Sequence, residues 1–261
     1  MPQKRIFLIF TAILILLLTT SVILNLVIYR YANQYYLQLN GTRLDPLGVI
    51  FYEPADPPEN ELSQPKIKVV FFGDSRAYQW SEPQDLNQFI FLNRGIGAQT
   101  STQVVERYEK HISPLQPDVL VVQVCINDLK TIPLYPHLKR QIIDNCKANL
   151  KQIVDESRNQ GADVILTTIF PLGELPFERR FFWSDEVAEA IIEVNKYITT
   201  LQNENVMIYD TTAILADQSG QVRAEYSYDF LHLNENGYQV LNDGLGKLLL
   251  KIEAEKTVGV E

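Results

Sequence analysis

Five short runs of almost uninterrupted apolar residues alternate along this chain with longer segments of helical period. The runs are IKVVFF (67–72), QFIFLN (88–93), DVLVVQV (118–124), DVILTTIF (163–170) and NVMIYD (205–210). A strand that is apolar on both faces has no side to offer water, which is the condition of a parallel strand between two helix layers. Helices are expected at about 100–112, 136–160, 184–203 and 234–253, and no internal repeat is present. Strand followed by helix, repeated, predicts an α/β fold with a doubly wound sheet. In such sheets ligands sit beyond the carboxyl ends of the strands, so the residues there are the ones to inspect.

Upstream lies a segment of another kind. Residues 6–29 form 24 positions without a charge, and as a helix they would span roughly 36 Å, more than a bilayer's hydrocarbon core of about 30 Å. A cleavable signal would be shorter and followed by a small-residue site, so an uncleaved anchor over 1–30 is expected. Lys4 and Arg5 precede the segment and Arg30 alone follows it closely. This bias puts the amino terminus in the cytoplasm and the rest of the chain on the extracytoplasmic side, as a single-pass membrane protein. Residues 31–66 are expected as a connector, with Tyr29, Tyr35 and Tyr36 suited to the membrane interface and a proline-rich stretch, PADPPENELSQP, that resists regular structure. The folded domain is then expected over 67–253, with a short tail at 254–261.

Composition excludes several functions. Lys and Arg number 23 against 32 Asp and Glu, for a net charge of −9, so a surface made to neutralise a phosphate backbone is not expected, and nucleic acid is not a partner. Cys125 and Cys146 are too few for a disulfide framework or a four-thiolate metal site. With one at a strand end and the other within a helix, they are expected as two buried free thiols. His111 and His137 lie at the ends of helical stretches, where a solvated or terminus-satisfying role is expected.

The strand ends carry the chemistry. The first run leads into Gly73-Asp74-Ser75-Arg76, a glycine-permitted turn that would present a serine at the sheet's edge. The second leads into Asn93-Arg94-Gly95-Ile96-Gly97-Ala98-Gln99-Thr100, whose backbone amides precede a helix and can face negative charge. Its glycine spacing does not fit a dinucleotide loop. The third leads into Cys125-Ile126-Asn127-Asp128, where an Asn amide could join those donors. Before the last helix, Asp229-Phe230-Leu231-His232 offers a histidine base with an aspartate three residues away to fix its tautomer.

Taken together and in this order, the four blocks resemble the SGNH (GDSL-type) hydrolase family over roughly residues 67–250. The resemblance implies a flavodoxin-like three-layer α/β/α sandwich with a five-stranded parallel sheet, preceded here by one transmembrane helix. It also implies hydrolysis of acyl esters without a metal or organic cofactor. Carried over by position, Ser75 is similar to the nucleophile, His232 to the base and Asp229 to its partner. The oxyanion donors would be the amides of Ser75 and Ala98 with the side chain of Asn127, supported by Asp74, Gly97 and Asp128.

Three positions depart from the family pattern. Arg76 stands where leucine is usual, a surface-adjacent change expected to touch substrate more than chemistry. Ala98 replaces the oxyanion glycine, which an alanine can do without strain only at negative φ. Cys125 replaces the glycine of the third block. The expected substrate is a lipid, an O-acylated carbohydrate or another acyl ester. The segment 172–186, with Phe177, Arg179, Arg180, Phe181, Phe182 and Trp183, would be either an amphipathic substrate rim or a helix start with its aromatics in the core. The competing readings are an O-acyltransferase on cell-envelope polysaccharide, which would exclude water from the same triad, and a catalytically weak binding protein.

Overall fold

The computed structural model describes residues 2–52 and 66–258. The chain divides into two units, the first ending at Pro46 and the second beginning at Leu47.

The first unit is one helix, α1 (Pro2–Leu44). It is long and apolar enough to cross a membrane by length and composition, and none of its residues is buried in protein. The helix therefore runs past the apolar stretch, through Tyr29, Tyr35 and Tyr36, into residues expected as connector. The proline-rich stretch itself lies outside the described residues.

The second unit holds a five-stranded sheet, all parallel, in the order β2-β1-β3-β4-β5. The strands are β1 (Ile67–Gly73), β2 (Phe89–Gly95), β3 (Val119–Gln123), β4 (Asp163–Thr167) and β5 (Val206–Tyr209). Between and after them come α2 (Ser75–Tyr78), α3 (Ser101–Glu106), α4 (Tyr108–His111), α5 (Ile126–Leu129), α6 (Lys139–Asn159), α7 (Glu186–Thr199), α8 (Thr211–Leu215) and α9 (Glu235–Val258). The expected tail thus continues α9 as far as Val258, and the expected helix at 100–112 is broken into α3 and α4 at Arg107.

Alternation along each strand sends neighbouring side chains to opposite layers. Val70, Phe72, Leu120 and Val122 face one core, shared with α3, α4, α6 and α7. Val69, Phe71, Val119 and Val121 face the other, shared with α8 and α9. On α9, Leu241, Leu245, Leu249 and Ile252 make one apolar stripe at helical spacing, each no more than 2% exposed. Burial on that scale is worth about 1.5 to 3 kcal/mol per side chain, so the stripe suffices to hold the helix on the sheet. The result is the three-layer α/β/α sandwich that both the hydrophobic pattern and the family resemblance predict. Its strand order reverses between β1 and β3, which puts the crevice at the carboxyl ends of those strands.

Candidate active site

β1 and β2 stay in register to their last residues, where Gly73 pairs with Gly95, and on its other side Gly73 pairs with Gln123 of β3. Three blocks identified in the sequence therefore leave the sheet side by side. Close approach explains two of the glycines. A Cβ on Gly73, at φ 152°, would overlap the carbonyl of Gln123, and one on Gly95 would overlap the backbone of Tyr78. Asn93 fastens the same corner: its amide donates to Ala77 O at 2.8 Å and its side-chain oxygen accepts from Gly95 N at 2.8 Å.

Ser75 is the first residue of α2, with Asp74 as its N-cap. The N–H groups of a helix's first turn have no partner within the helix, so the Ser75 amide is available beside its own hydroxyl. The hydroxyl lies 3.0 Å from Nε2 of His232. On the far side of the imidazole, Nδ1 lies 2.9 Å from Asp229 Oδ2. Asp229 Oδ1 accepts from the amides of Leu231 and His232 at 2.7 and 2.8 Å, so one carboxylate both shapes the turn and orients the ring. Partial burial pushes the Asp229 carboxyl up, but the hydrogen bonds from His232 and the two amides outweigh it and the net shift is downward. The partner of His232 thus stays ionised at neutral pH.

A second wall is made by the second and third blocks, which leave the sheet beside the first where Gly95 and Gln123 flank Gly73. Ala98 has φ 64°, a left-handed conformation that costs an alanine about 1 to 2 kcal/mol. The sequence reading allows alanine here without strain only at negative φ, and the structure places it in the strained region. Cys125 is in the same condition at φ 92°. Both departures from glycine therefore fall where the backbone favours glycine. Gly97 and Ala98 are exposed, and Asn127 is 4% exposed. Asn127 Nδ2 donates to Gln99 O at 3.0 Å, which commits one amide hydrogen to the Ala98 loop and leaves the second. Asp128 accepts from Ser101 N at 2.8 Å and from Ser101 Oγ at 2.7 Å, tying the start of α3 to α5. Burial raises the Asp128 pKa against those hydrogen bonds.

Three expectations are corrected. Cys125 and Cys146 are not free thiols; they form a disulfide that joins the start of α5 to α6. Separation in sequence hid the pairing, which depends on α6 packing over the end of β3. Arg76 is not near the surface: it is fully buried, donating through Nε to Leu231 O at 2.9 Å and through Nη1 to Phe170 O at 3.0 Å. The residue after the serine thus reaches the turn that carries His232. Burial lowers the Arg76 pKa to about 10 and raises that of fully buried Asp74 to about 6, each charge partly offsetting the other's desolvation. Of the two roles expected for His111, solvated or terminus-satisfying, the first does not hold: the residue ends α4 and is 4% exposed, with Nε2 3.1 Å from Val49 O.

Arg107 and Gln99 carry no family signature in the sequence reading, yet they brace the site from behind. Arg107 is fully buried and donates to Gln99 Oε1 at 2.6 Å and to Gly73 O at 2.9 Å. A charged residue inside a predicted helix was the available signal, and helical periodicity masks it. In the 172–186 segment, Phe177 is 70% exposed while Trp183 packs edge-on against Phe230, 5.3 Å between centroids. Arg179 lies over the same Phe230 ring at 5.7 Å. The segment thus combines both expectations, an exposed aromatic and a packed one, beside the turn of Asp229.

Known proteins resemble this chain in sequence and in fold. The chain is 24% identical over 195 residues to human platelet-activating factor acetylhydrolase IB subunit alpha2, covering 72% of this chain and 78% of that one. It is 26% identical over 199 residues to the rat alpha1 subunit, covering 72% and 77%. Among solved structures, a GDSL-like lipase from Bacteroides thetaiotaomicron superposes with a TM-score of 0.55 at 19% identity, over 70% of this chain and 88% of that one. An acetyl xylan esterase superposes with a TM-score of 0.56 at 21% identity, over 70% and 99%. The profile of the GDSL-like lipase/acylhydrolase family matches residues 71–240, more than half of the chain, and its span runs from the end of β1 to α9. The chain belongs to that family of hydrolases acting on esters.

Proposed function

We propose that this protein is a serine esterase that cleaves acyl esters through Ser75, His232 and Asp229. The observation that carries this reading is the continuous line of contacts from Ser75 Oγ to His232 Nε2, 3.0 Å, and from His232 Nδ1 to Asp229 Oδ2, 2.9 Å. His232 takes the proton of Ser75 as Oγ attacks the acyl carbonyl. The oxyanion that forms is held by the amides of Ser75 and Ala98 and the second amide hydrogen of Asn127. His232 then returns the proton to the departing alcohol, and an acyl-serine remains. A water molecule, deprotonated by the same histidine, attacks the acyl carbon and regenerates the serine.

We favour hydrolysis over transfer to a second alcohol because water, the most abundant nucleophile, can reach these residues. Gly97 and Ala98 are exposed, and the His232 and Asp229 side chains keep 24% and 41% of their exposure. Water therefore has free access to the acyl intermediate. Relatives of this chain carry acetylhydrolase and acetyl xylan esterase in their names, so acetyl esters of a lipid or a carbohydrate are the first substrates to offer. Helix α1 would anchor the protein in a membrane. A disulfide that joins α5 to α6 suits an oxidising, extracytoplasmic compartment.

The test uses the full chain in detergent with p-nitrophenyl acetate and longer acyl esters, beside Ser75→Ala. Wild type should hydrolyse the ester and take up one equivalent of a serine-directed phosphonate, and Ser75→Ala should lose about 10⁴-fold or more in kcat and resist labelling. Equal activity in the two proteins would refute the assignment.

A further inference from the structure

The first six residues of the second unit, Leu47–Tyr52, do not lead away from the cleft. They contact the Ala98 loop on both sides of Ala98. On the amino-terminal side, Tyr52 donates its hydroxyl to Gly95 O at 2.5 Å, and the Arg94 guanidinium lies 4.7 Å over the Tyr52 ring. On the carboxyl-terminal side, Gln99 Nε2 donates to Leu47 O at 2.8 Å. Between these two points Gly48, at φ 66°, presses against the loop so closely that a Cβ there would come within 2.9 Å of both Gln99 Nε2 and Ile96 Cδ1. His111 secures the middle of the segment through Val49 O at 3.1 Å, and its ring meets that of Tyr52 edge-on at 5.6 Å. Phe51 packs against Tyr78 at 6.1 Å, three residues from the Ser75 end of α2.

The residue between those grips is the strained one. A non-glycine backbone at positive φ persists only where its surroundings hold it there, and Ala98 stands at φ 64° on an exposed loop. Ile96 N is fixed to Gly73 O at 3.0 Å, and Gln99 is fixed by Arg107 and by Asn127. Residues 47–52 add the contacts to Gly95 O and to the Gln99 side chain.

We propose that Leu47–Tyr52 is a positioning strap for the oxyanion loop, with Tyr52 and Gly48 its chief residues, which keeps the Ala98 amide directed at the cleft. This rests on the esterase reading above. The consequence is that the segment next to the apolar helix in the chain is part of the catalytic apparatus and not a passive connector. Where the loop carries glycine instead of alanine, the same conformation costs less and the strap should matter less.

The experiment compares full-length wild type, Tyr52→Phe and Gly48→Ala in detergent, each also with Ala98→Gly. Tyr52→Phe removes one hydrogen bond and keeps the ring. It should lower kcat for p-nitrophenyl acetate about 3- to 10-fold. Gly48→Ala lifts the strap and should lower kcat by about 10- to 100-fold, short of losing an oxyanion donor outright. In both, KM should move less than about threefold, since the interaction lost is one made with the transition state. Hydrogen exchange at amides 96–99 should rise while that at 231–232 is unchanged, and the kcat losses should shrink in the Ala98→Gly background. Unchanged kcat, a change confined to KM, or unchanged exchange at 96–99 would overturn the strap. Should Ser75→Ala prove as active as wild type, the esterase reading fails instead, and the exchange measurement alone then decides whether the strap orders the loop.

Discussion

Asp229 and His232 meet within one turn of four residues, and that turn is shaped by the same carboxylate that orients the ring. On the second wall, Asn127 and Gln99 come together from positions 28 apart, and Ala98 and Cys125 both carry positive φ without being glycine. A disulfide, a buried Arg107 and the strap surround them. One wall is cheap because its hydrogen bonds are local and satisfied by the turn itself. The other stores strain, and long-range contacts hold it in place. The wall proposed to bind the oxyanion is therefore the one most exposed to changes elsewhere in the molecule.

The largest expected effect tests the local wall. Asp229→Asn should leave the fold intact but favour the wrong imidazole tautomer, lowering kcat by about 10³- to 10⁴-fold, measured with p-nitrophenyl acetate. A loss under tenfold would show that the turn orients His232 without the carboxylate's charge. Next comes the assembled wall: Asn127→Ala should cost about 10²- to 10³-fold in kcat, and a burst-phase measurement should show slower acylation.

The disulfide closes a sequence separation of 21 residues, for which chain entropy gives about 3 kcal/mol. Replacing both cysteines by serine should lower stability to chemical denaturation by about that amount. Replacing Cys125 by glycine and Cys146 by serine should be milder by about 1 kcal/mol, because glycine accepts φ 92° without strain. Equal losses would mean that Cys125 stores no strain. The smallest effect concerns Ala98→Gly, which should raise stability by about 1 kcal/mol in thermal unfolding, the relief of strain exceeding the entropy glycine adds to the unfolded chain.

Much of this was legible in the residues themselves. Apolar runs such as VLVVQ placed β3 because a strand buried on both faces needs no polar partner along it. Gly-Asp-Ser and Asn127 lie at strand ends, where a doubly wound sheet gathers ligands, and Asp229-x-x-His232 lies just before the last helix. Arg76 was misread because a charge beside a turn usually faces water. Only the meeting of β1, β4 and the His232 turn provides the carbonyls of Phe170 and Leu231 that satisfy it inside. The burial of His111 depends on a distant partner likewise, Val49 lying 62 residues away.

Local sequence sets the order of strands and helices along the chain, the apolar helix ahead of them, and the short turn that pairs Asp229 with His232. These depend on periodicity and on contacts a few residues long, which local composition encodes. Tertiary structure alone decided that Cys125 pairs with Cys146, that Arg76 and Arg107 are buried, and that residues 47–52 return to grip the Ala98 loop. Each of those depends on which carbonyls, rings and thiols the packed sheet brings within a few ångströms, and spacing along the chain carries no measure of that distance.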